Sequence, residues 1–350
     1  TCVQDIKNPA RIAEFKQILK LAQKFTKEAY LPDIYMAGTM YADEALEGIG
    51  GGIGNYMSYG DFRLDDTPFY EAAKLFPSGI VKNRDLSKVF EVDQTKITED
   101  VTHAWYEGKT NLHPYDGETK PNYTGFGKKE DNIAYLDTQN KYTWIKSPLH
   151  DDERMEVGPL ARMIIGVAKG DERISKYVTT FLKNGNLPIK VLFSTVGRTA
   201  ARAIETELMA DVMMEWVDEL ALNVAHGDLS TWTEFNFDNV SANTQGYGMA
   251  EAPRGGLGHW VKIKDGKVEN YQAVVPSTWN AAPRDYKGRL GAYESSLIGT
   301  KVANPDQPLE ILRTVHSFDP CIACAVHIID TNGKELGVYK VDPIGGTSRA

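Results

Sequence analysis

The stretch from Thr195 to Ala225 constrains the fold more than any other part of the sequence. Val196, Ala200, Ile204, Leu208, Val212, Trp216 and Leu220 recur at four-residue steps. That spacing holds apolar side chains on one face of an α-helix, so it predicts a helix of about 30 residues with one side buried throughout. The methionines and the tryptophan of this stretch are read as core packing. A helix that long needs other helices to cover it. Pro159 to Lys169 and residues 172–183 show the same periodicity, the second closed by Asn184-Gly185. Another helix is predicted over 9–30, with Asn8 as cap, Pro9 in the first turn, and Ile12, Phe15, Leu19 and Ala22 on one face, ending before Pro32.

Between these segments turn formers dominate. Gly48-Ile49-Gly50-Gly51-Gly52-Ile53-Gly54 tempts a phosphate-loop reading, but it offers no Gly-x-Gly-x-x-Gly register and no lysine in Walker spacing. It is read as a loop that packs backbone. Residues 60–150 are rich in Gly, Pro, Asp and Tyr and predict an irregular insertion, with a hairpin of 133–136 against 142–145. His113, Asp116 and Glu118 sit among turn formers and are read as a solvated loop. Residues 260–264 and 268–275 around Asp265-Gly266 predict a second hairpin, ended by Pro276-Ser277-Thr278-Trp279-Asn280, and 308–315 a last helix. The expected fold is mainly α, a long-helix core with small β elements.

The chain has 350 residues, of which 42% are hydrophobic, enough for a sizeable core. A net charge of −9 with no basic run excludes a nucleic-acid surface. No apolar run approaches the length of a membrane span, and the amino end does not read as a signal peptide, so membrane attachment would come from another chain. The chain opens at Thr1 rather than Met and is helical by Pro9, which reads as a start in mid-domain.

Three cysteines cannot make a disulfide framework for a chain of this size. Two of them fall in Asp319-Pro320-Cys321-Ile322-Ala323-Cys324-Ala325-Val326-His327, a Cys-x-x-Cys-x-x-His run able to offer several soft or borderline donors to one metal. A c-type haem would need histidine where Ala325 stands. A thioredoxin-like dithiol would open a helix in a βαβ unit, and this pair lies near the end of a helix-rich chain. A structural zinc site would need a second ligand pair, and two buried cysteines with no metal would look the same. Spacing alone leaves these readings open. Cys2 is read as a bystander.

The run resembles the carboxy-terminal nickel-binding signature of NiFe hydrogenase large, catalytic subunits of the uptake, membrane-bound type. Thr1 to Arg11, Tyr41-Ala42-Asp43-Glu44-Ala45, Asp100-Val101-Thr102-His103-Ala104-Trp105-Tyr106, Ala252-Pro253-Arg254-Gly255 and Val275-Pro276-Ser277-Thr278-Trp279-Asn280 resemble the same family in the same order. The resemblance implies Cys321 as a terminal nickel ligand and Cys324 as a bridge between nickel and an iron carrying carbon monoxide and cyanide. It implies His327 and the backbone carbonyl of Ala273 as magnesium ligands. Arg254 and Ser277 would donate to the cyanides, while Leu257, Val275 and Pro276 would wall the carbon monoxide. Asp319 and Pro253 would complete the canopy over the open metal position, with Arg254, Asp319 and Cys321 closest to the chemistry.

The implied reaction is heterolytic cleavage of H2 to protons and electrons, the electrons leaving through iron–sulfur clusters on a small-subunit partner. The family's amino-terminal Cys-x-x-Cys is absent from this sequence, which is therefore expected to be a carboxy-terminal fragment, inactive alone. Family members end at the motif's histidine after a nickel-dependent endopeptidase acts. Residues 1–327 are thus expected to form the partial large-subunit domain, and 328–350 a cleavable extension of a precursor that also meets nickel-insertion factors. The resemblance places the mature complex at the periplasmic face, membrane-associated through partner subunits, and the precursor in the cytoplasm. Two alternatives stand beside it: a noncatalytic structural relative in a respiratory complex, which would lack the nickel cysteines, and a zinc-stabilised binding module.

Overall fold

Ser194 sets the start of the longest helix. Its hydroxyl accepts the Gly197 N–H at 3.0 Å, satisfying an amide that no helical carbonyl can reach. The computed structural model describes residues 7–65, 67–68, 70–125, 129–130, 133–134, 139–230, 236, 240–304, 307–321, 327–329, 335–342 and 346–349. For 129–130, 133–134, 327–329, 335–342 and 346–349 it describes the backbone alone.

The first helices are α1 (Pro9–Phe25), α2 (Leu31–Met40) and α3 (Ala42–Glu47). After them come α4 (Pro159–Lys169), α5 (Glu172–Asn184) and α6 (Thr195–Ala225). The expected stop before Pro32 does not occur. A π-helical turn, Thr26–Tyr30, follows α1, and the Leu31 N–H bonds back to the Thr26 carbonyl. This register shift places Pro32 in the first turn of α2, a position that tolerates proline, and the chain stays helical to Met40.

Asp211 on α6 ties the helices together, accepting from Gln23 at 3.0 Å, Lys27 at 2.9 Å and the Tyr177 hydroxyl at 2.8 Å. Ile204, Leu208 and Val212 lie in the core as the periodicity predicts, but burial ends at Val217, and Leu220 and Leu222 are exposed. The covering helices α4 and α5 span 11 and 13 residues against the 31 of α6, too few to shield its whole length.

The glycine loop packs backbone, as expected. Gly50 has φ +78°, and a Cβ there would lie 1.9 Å from Thr195 Oγ1. Its carbonyl accepts from Arg198 Nη1 at 2.5 Å. Arg198 also forms a buried fork with Glu156 at 2.6 and 2.9 Å and lies over the Phe318 ring at 3.8 Å. Charges this deep are tolerated only because each has its partner.

Residues 60–150 form the irregular insertion of short strands, with one correction. Among the described residues, Ile133–Ala134 pairs with Lys129–Glu130, and Tyr142 and Thr143 bond to His103 and Trp105; the rest of the expected first strand, 135–136, lies outside the described residues. The contacts that decide this pairing are nonlocal. The segment from His113 to Glu118 is a loop, but a docked one, since Asn270 donates to the carbonyls of Tyr115 and Gly117.

The hairpin at Asp265-Gly266 forms, both turn residues having positive φ, which suits the right-handed twist of the strands it joins. A third strand precedes it, so the sheet runs β1 (Thr244–Ala252), β2 (Gly255–Lys264) and β3 (Lys267–Val274), antiparallel throughout. Pro276–Asn280 then forms a short helix, α7, followed by α8 (Ala292–Leu297) and α9 (Leu309–His316). Beyond the motif, β4 (His327–Ile329), β5 (Glu335–Asp342) and β6 (Gly346–Arg349) form a second antiparallel sheet. The fold is a mixture of helices and small sheets rather than a plainly helical one.

Two apolar cores result. One joins α4, α5 and α6 through Leu160, Ile164, Ile174, Phe181, Ile204 and Leu208. The other holds Met155, Val157, Trp260, Val274 and Trp279. Tyr56 and Met57, neighbours in one strand, point into different cores because successive strand side chains alternate. Among the described residues no helix is long and apolar enough to cross a membrane.

Candidate active site

The corner between β1 and β2, the start of α7 and the turn after α9 converge. At the corner, Gly255 has φ +127°, and a Cβ there would lie 2.6 Å from the Gly158 nitrogen. Only glycine allows that approach of the corner to the start of α4. It presents Arg254 next to Asp319: Arg254 Nε donates to the Asp319 carbonyl at 2.8 Å, and Nη2 to its carboxylate at 3.3 Å. Asp319 has φ +56°, a left-handed turn that Asp tolerates better than most residues. Two residues on, the Cys321 N–H donates to Ser277 Oγ at 3.2 Å. Four of the residues chosen from sequence are thus brought together in two contacts, Arg254 with Asp319 and Ser277 with Cys321.

The others lie around these contacts. Pro276 is buried in the first turn of α7, while Val275, just before it, is 39% exposed. Leu257 is half-buried in β2 opposite Ala250. Ala273 lies in β3 opposite His259. Pro253 and Asp319 help to line a cleft of about 450 Å³ whose other walls include Leu19, Ala22, Met209 and Met213. Cys2, Cys324 and the side chain of His327 lie outside the described residues. Among the described residues no three His, Cys, Asp or Glu side chains cluster as a cation site.

The donor chemistry fits a soft metal with anionic diatomic ligands. Cys321 offers an exposed thiol. Arg254 directs two N–H bonds to Asp319, and its remaining donors have no protein acceptor among the described residues. The Ser277 hydroxyl is used as an acceptor, so its own proton is available. The Tyr293 hydroxyl is buried with no partner among the described residues, and its pKa is pushed up first by burial and then by the charge of Asp319.

Sequence reasoning missed the residues that hold this arrangement. Arg162 on α4 is 1% exposed and reaches Glu205 on α6, Glu251 at the corner, and the carbonyls of Ala252 and Pro253. Burial works against its charge, but the two carboxylates more than offset that and hold it above its ordinary range. Arg202 on α6 donates to the Ser317 carbonyl at 3.1 Å. One signal was legible: a charge within Pro159-Leu160-Ala161-Arg162-Met163-Ile164-Ile165, on a helix with no polar side in that run, demands a buried partner.

The nickel-dependent hydrogenase family matches residues 1–327. The quinone-reactive Ni/Fe-hydrogenase large chain of Wolinella succinogenes is 44% identical, over 98% of this chain and 60% of its own length. The uptake hydrogenase large subunit of Rhodobacter capsulatus is 42% identical, over 95% of this chain and 58% of its own. A NiFeSe hydrogenase structure from Desulfovibrio vulgaris Hildenborough superposes with a TM-score of 0.73 at 31% identity, covering 91% of this chain and 61% of that one. The chain spans about three fifths of the length of these curated relatives.

Proposed function

The chain belongs to the nickel-dependent hydrogenase family, and from that premise we propose that it forms the active-site portion of a catalytic large subunit that cleaves H2 to protons and electrons. The observation that carries the reading is the pair of contacts placing Arg254 against Asp319 and Ser277 against Cys321. When bound, a nickel–iron centre with carbon monoxide and cyanide ligands supplies the two-electron chemistry of H2 that protein side chains lack.

Cys321 and Cys324 hold the metals through thiolates, which suit nickel better than oxygen donors do. Arg254, through the N–H groups of its planar fork that Asp319 does not use, and Ser277 would donate to the cyanide nitrogens. Leu257, Val275 and Pro276 form the apolar wall beside the carbon monoxide. Asp319 fixes the guanidinium of Arg254 through backbone and carboxylate together, so the donors are oriented before any ligand arrives. The largely apolar cleft that Pro253 and Asp319 help to line suits the approach of a small uncharged substrate. His327 and the carbonyl of Ala273 hold magnesium.

The finer reading keeps the long-helix core of the NiFe large-subunit type. The matches cover about three fifths of the relatives' length, and two further thiolates would complete the nickel's ligand set. An iron–sulfur small subunit takes the electrons. Residues 328–350 form the extension that an endopeptidase removes after nickel-insertion factors have acted; the family match, which runs to residue 327, supports that boundary. The mature complex works at the periplasmic face, held to the membrane by partner subunits, and the precursor is cytoplasmic.

The test is metal content. The full-length protein, produced with its small subunit and maturation factors, is expected to contain nickel and iron and to oxidise H2. Cys321→Ser is expected to abolish nickel loading. Unchanged nickel in that variant, or neither metal in the parent, would overturn the reading.

A further inference from the structure

We propose that Arg162 is a positioning residue for the metal site, holding the Pro253–Arg254 corner so that the Arg254 guanidinium meets Asp319 and faces the ligands of the iron. This rests on the functional reading above and adds a residue to it.

A guanidinium carries five N–H groups in a fixed planar fork. Here Nε donates to Glu205 Oε2 at 2.8 Å and Nη2 to Glu205 Oε1 at 2.7 Å. Nη1 donates to Glu251 Oε2 at 2.7 Å and to the Ala252 carbonyl at 3.0 Å, and Nη2 also reaches the Pro253 carbonyl at 2.8 Å. All five are used, three on carboxylates and two on consecutive carbonyls immediately before Arg254. The other oxygen of Glu251 accepts the Tyr59 N–H at 2.7 Å, and the Glu251 N–H donates to Asp61 at 2.8 Å, so the corner is clamped from a second side.

Burial makes this arrangement sharp rather than approximate. The side chains of Arg162 and Glu251 are each 1% exposed. Water cannot replace a lost bond at such a site, so displacement of the guanidinium strands charge and carbonyl together. Core stability alone asks only for a satisfied charge. It does not require two of the five donors to fall on the carbonyls of Ala252 and Pro253, which carry the chain into the residue that contacts Asp319.

The opposite half of the contact is fixed from the same helix. Arg202, one turn before Glu205 on α6, donates to the Ser317 carbonyl at 3.1 Å, two residues before Asp319. Arg254 and Asp319 are 65 residues apart in sequence, yet both are referred to one stretch of α6, Arg254 through Arg162 and Glu205 and Asp319 through Arg202. A rigid helix therefore sets the separation of the two partners.

Lysine cannot reproduce the fork, since a point-like ammonium with three donors cannot serve two carboxylates and two carbonyls at once. The experiment uses the full-length, matured protein with its small subunit and compares the parent with Arg162→Lys and Glu205→Gln. Four quantities are read: nickel and iron content, the infrared stretching bands of the iron-bound cyanides, kcat, and KM for H2. Both variants are expected to keep metal within about twofold of the parent, to shift the cyanide bands, and to lose kcat by about tenfold to a hundredfold with KM unchanged, as a displaced donor near the reacting centre requires.

Parent-like cyanide bands and kcat in a folded, metal-loaded Arg162→Lys would overturn the proposal and leave Arg162 as a structural ion pair. If Arg162→Lys fails to fold, Glu205→Gln decides, because glutamine still accepts one bond and loosens the fork without emptying the site. Parent-like bands and kcat there would overturn the proposal equally. Absence of nickel and iron from the parent would instead overturn the functional reading, so the two failures are distinguishable.

Discussion

The hydroxyl of Ser277 accepts the backbone N–H of Cys321 at 3.2 Å across 44 residues of sequence. The bond joins the first turn of α7 to the Cys-x-x-Cys run, so the serine orients the cysteine's backbone while its own proton remains free for another acceptor. Ser277→Ala removes both roles and leaves an amide that water can reach. In the matured full-length protein it is expected to lower unfolding free energy by about 1 kcal/mol or less yet slow hydrogen oxidation about tenfold. Ser277→Thr, which keeps the hydroxyl, is expected to recover most of the rate. An unchanged rate in the alanine variant would show that the contact is incidental.

The glycine loop gives a paired prediction about packing. Gly50 and Gly170 both have left-handed backbones, at φ +78° and +74°, but a Cβ at Gly50 would strike Thr195 whereas one at Gly170 meets nothing within 4 Å. Gly170→Ala should cost only the backbone strain, about 1 kcal/mol. Gly50→Ala should cost about 3 kcal/mol, because the start of α6 must also shift. Chemical denaturation of the two variants measures the difference, and equal losses would mean that the loop does not pack as tightly as its geometry indicates.

His150 predicts a pH dependence. The ring is buried, its Nε2 accepts the Asp93 N–H at 3.0 Å, and its Nδ1 has no partner among the described residues. Burial pulls its pKa below the ordinary 6.5, with smaller opposing contributions from Asp151 and Asp93 and reinforcing ones from Lys82 and Lys96. The fold thus holds the neutral ring while the unfolded chain accepts a proton near pH 6.5. Stability from this group is full above pH 6.5 and is lost as pH falls through the folded pKa. Urea unfolding of the protein at pH 7.5 and at pH 5.5 should show that loss, and His150→Gln should flatten it. Identical pH slopes for parent and variant would contradict the assignment.

Much of the helical framework was legible because its determinants are local. Asn8 before Pro9, Asp171 before Glu172 and Ser194 before Thr195 each place a capping side chain where a periodic stretch begins. The hairpin at Asp265-Gly266 was legible for the same reason, since two left-handed turn residues specify it. The first strand of that sheet was not. Thr244–Ala252 carries four small or flexible residues, Gly246, Gly248, Ala250 and Ala252, among its nine, so its strand character comes from β2 beside it and not from its own composition. Pro32 misled in the opposite direction, because a π-helical turn let a helix continue where local rules predict a stop.

At the site, the sequence by itself determined which residues stand as candidates for the reacting groups. The order of Arg254, Ser277, Asp319, Cys321, Cys324 and His327, with their neighbours, carries the family likeness, because metal chemistry restricts which side chains can serve as soft ligands and as charged donors. Only the tertiary structure decided how they are held. Arg162 meets Glu205 across 43 residues and Pro253 across 91, and nothing in local spacing records such pairs. A buried charge must find its counterparts wherever the fold brings them, because the low-dielectric interior penalises any that remain unmatched.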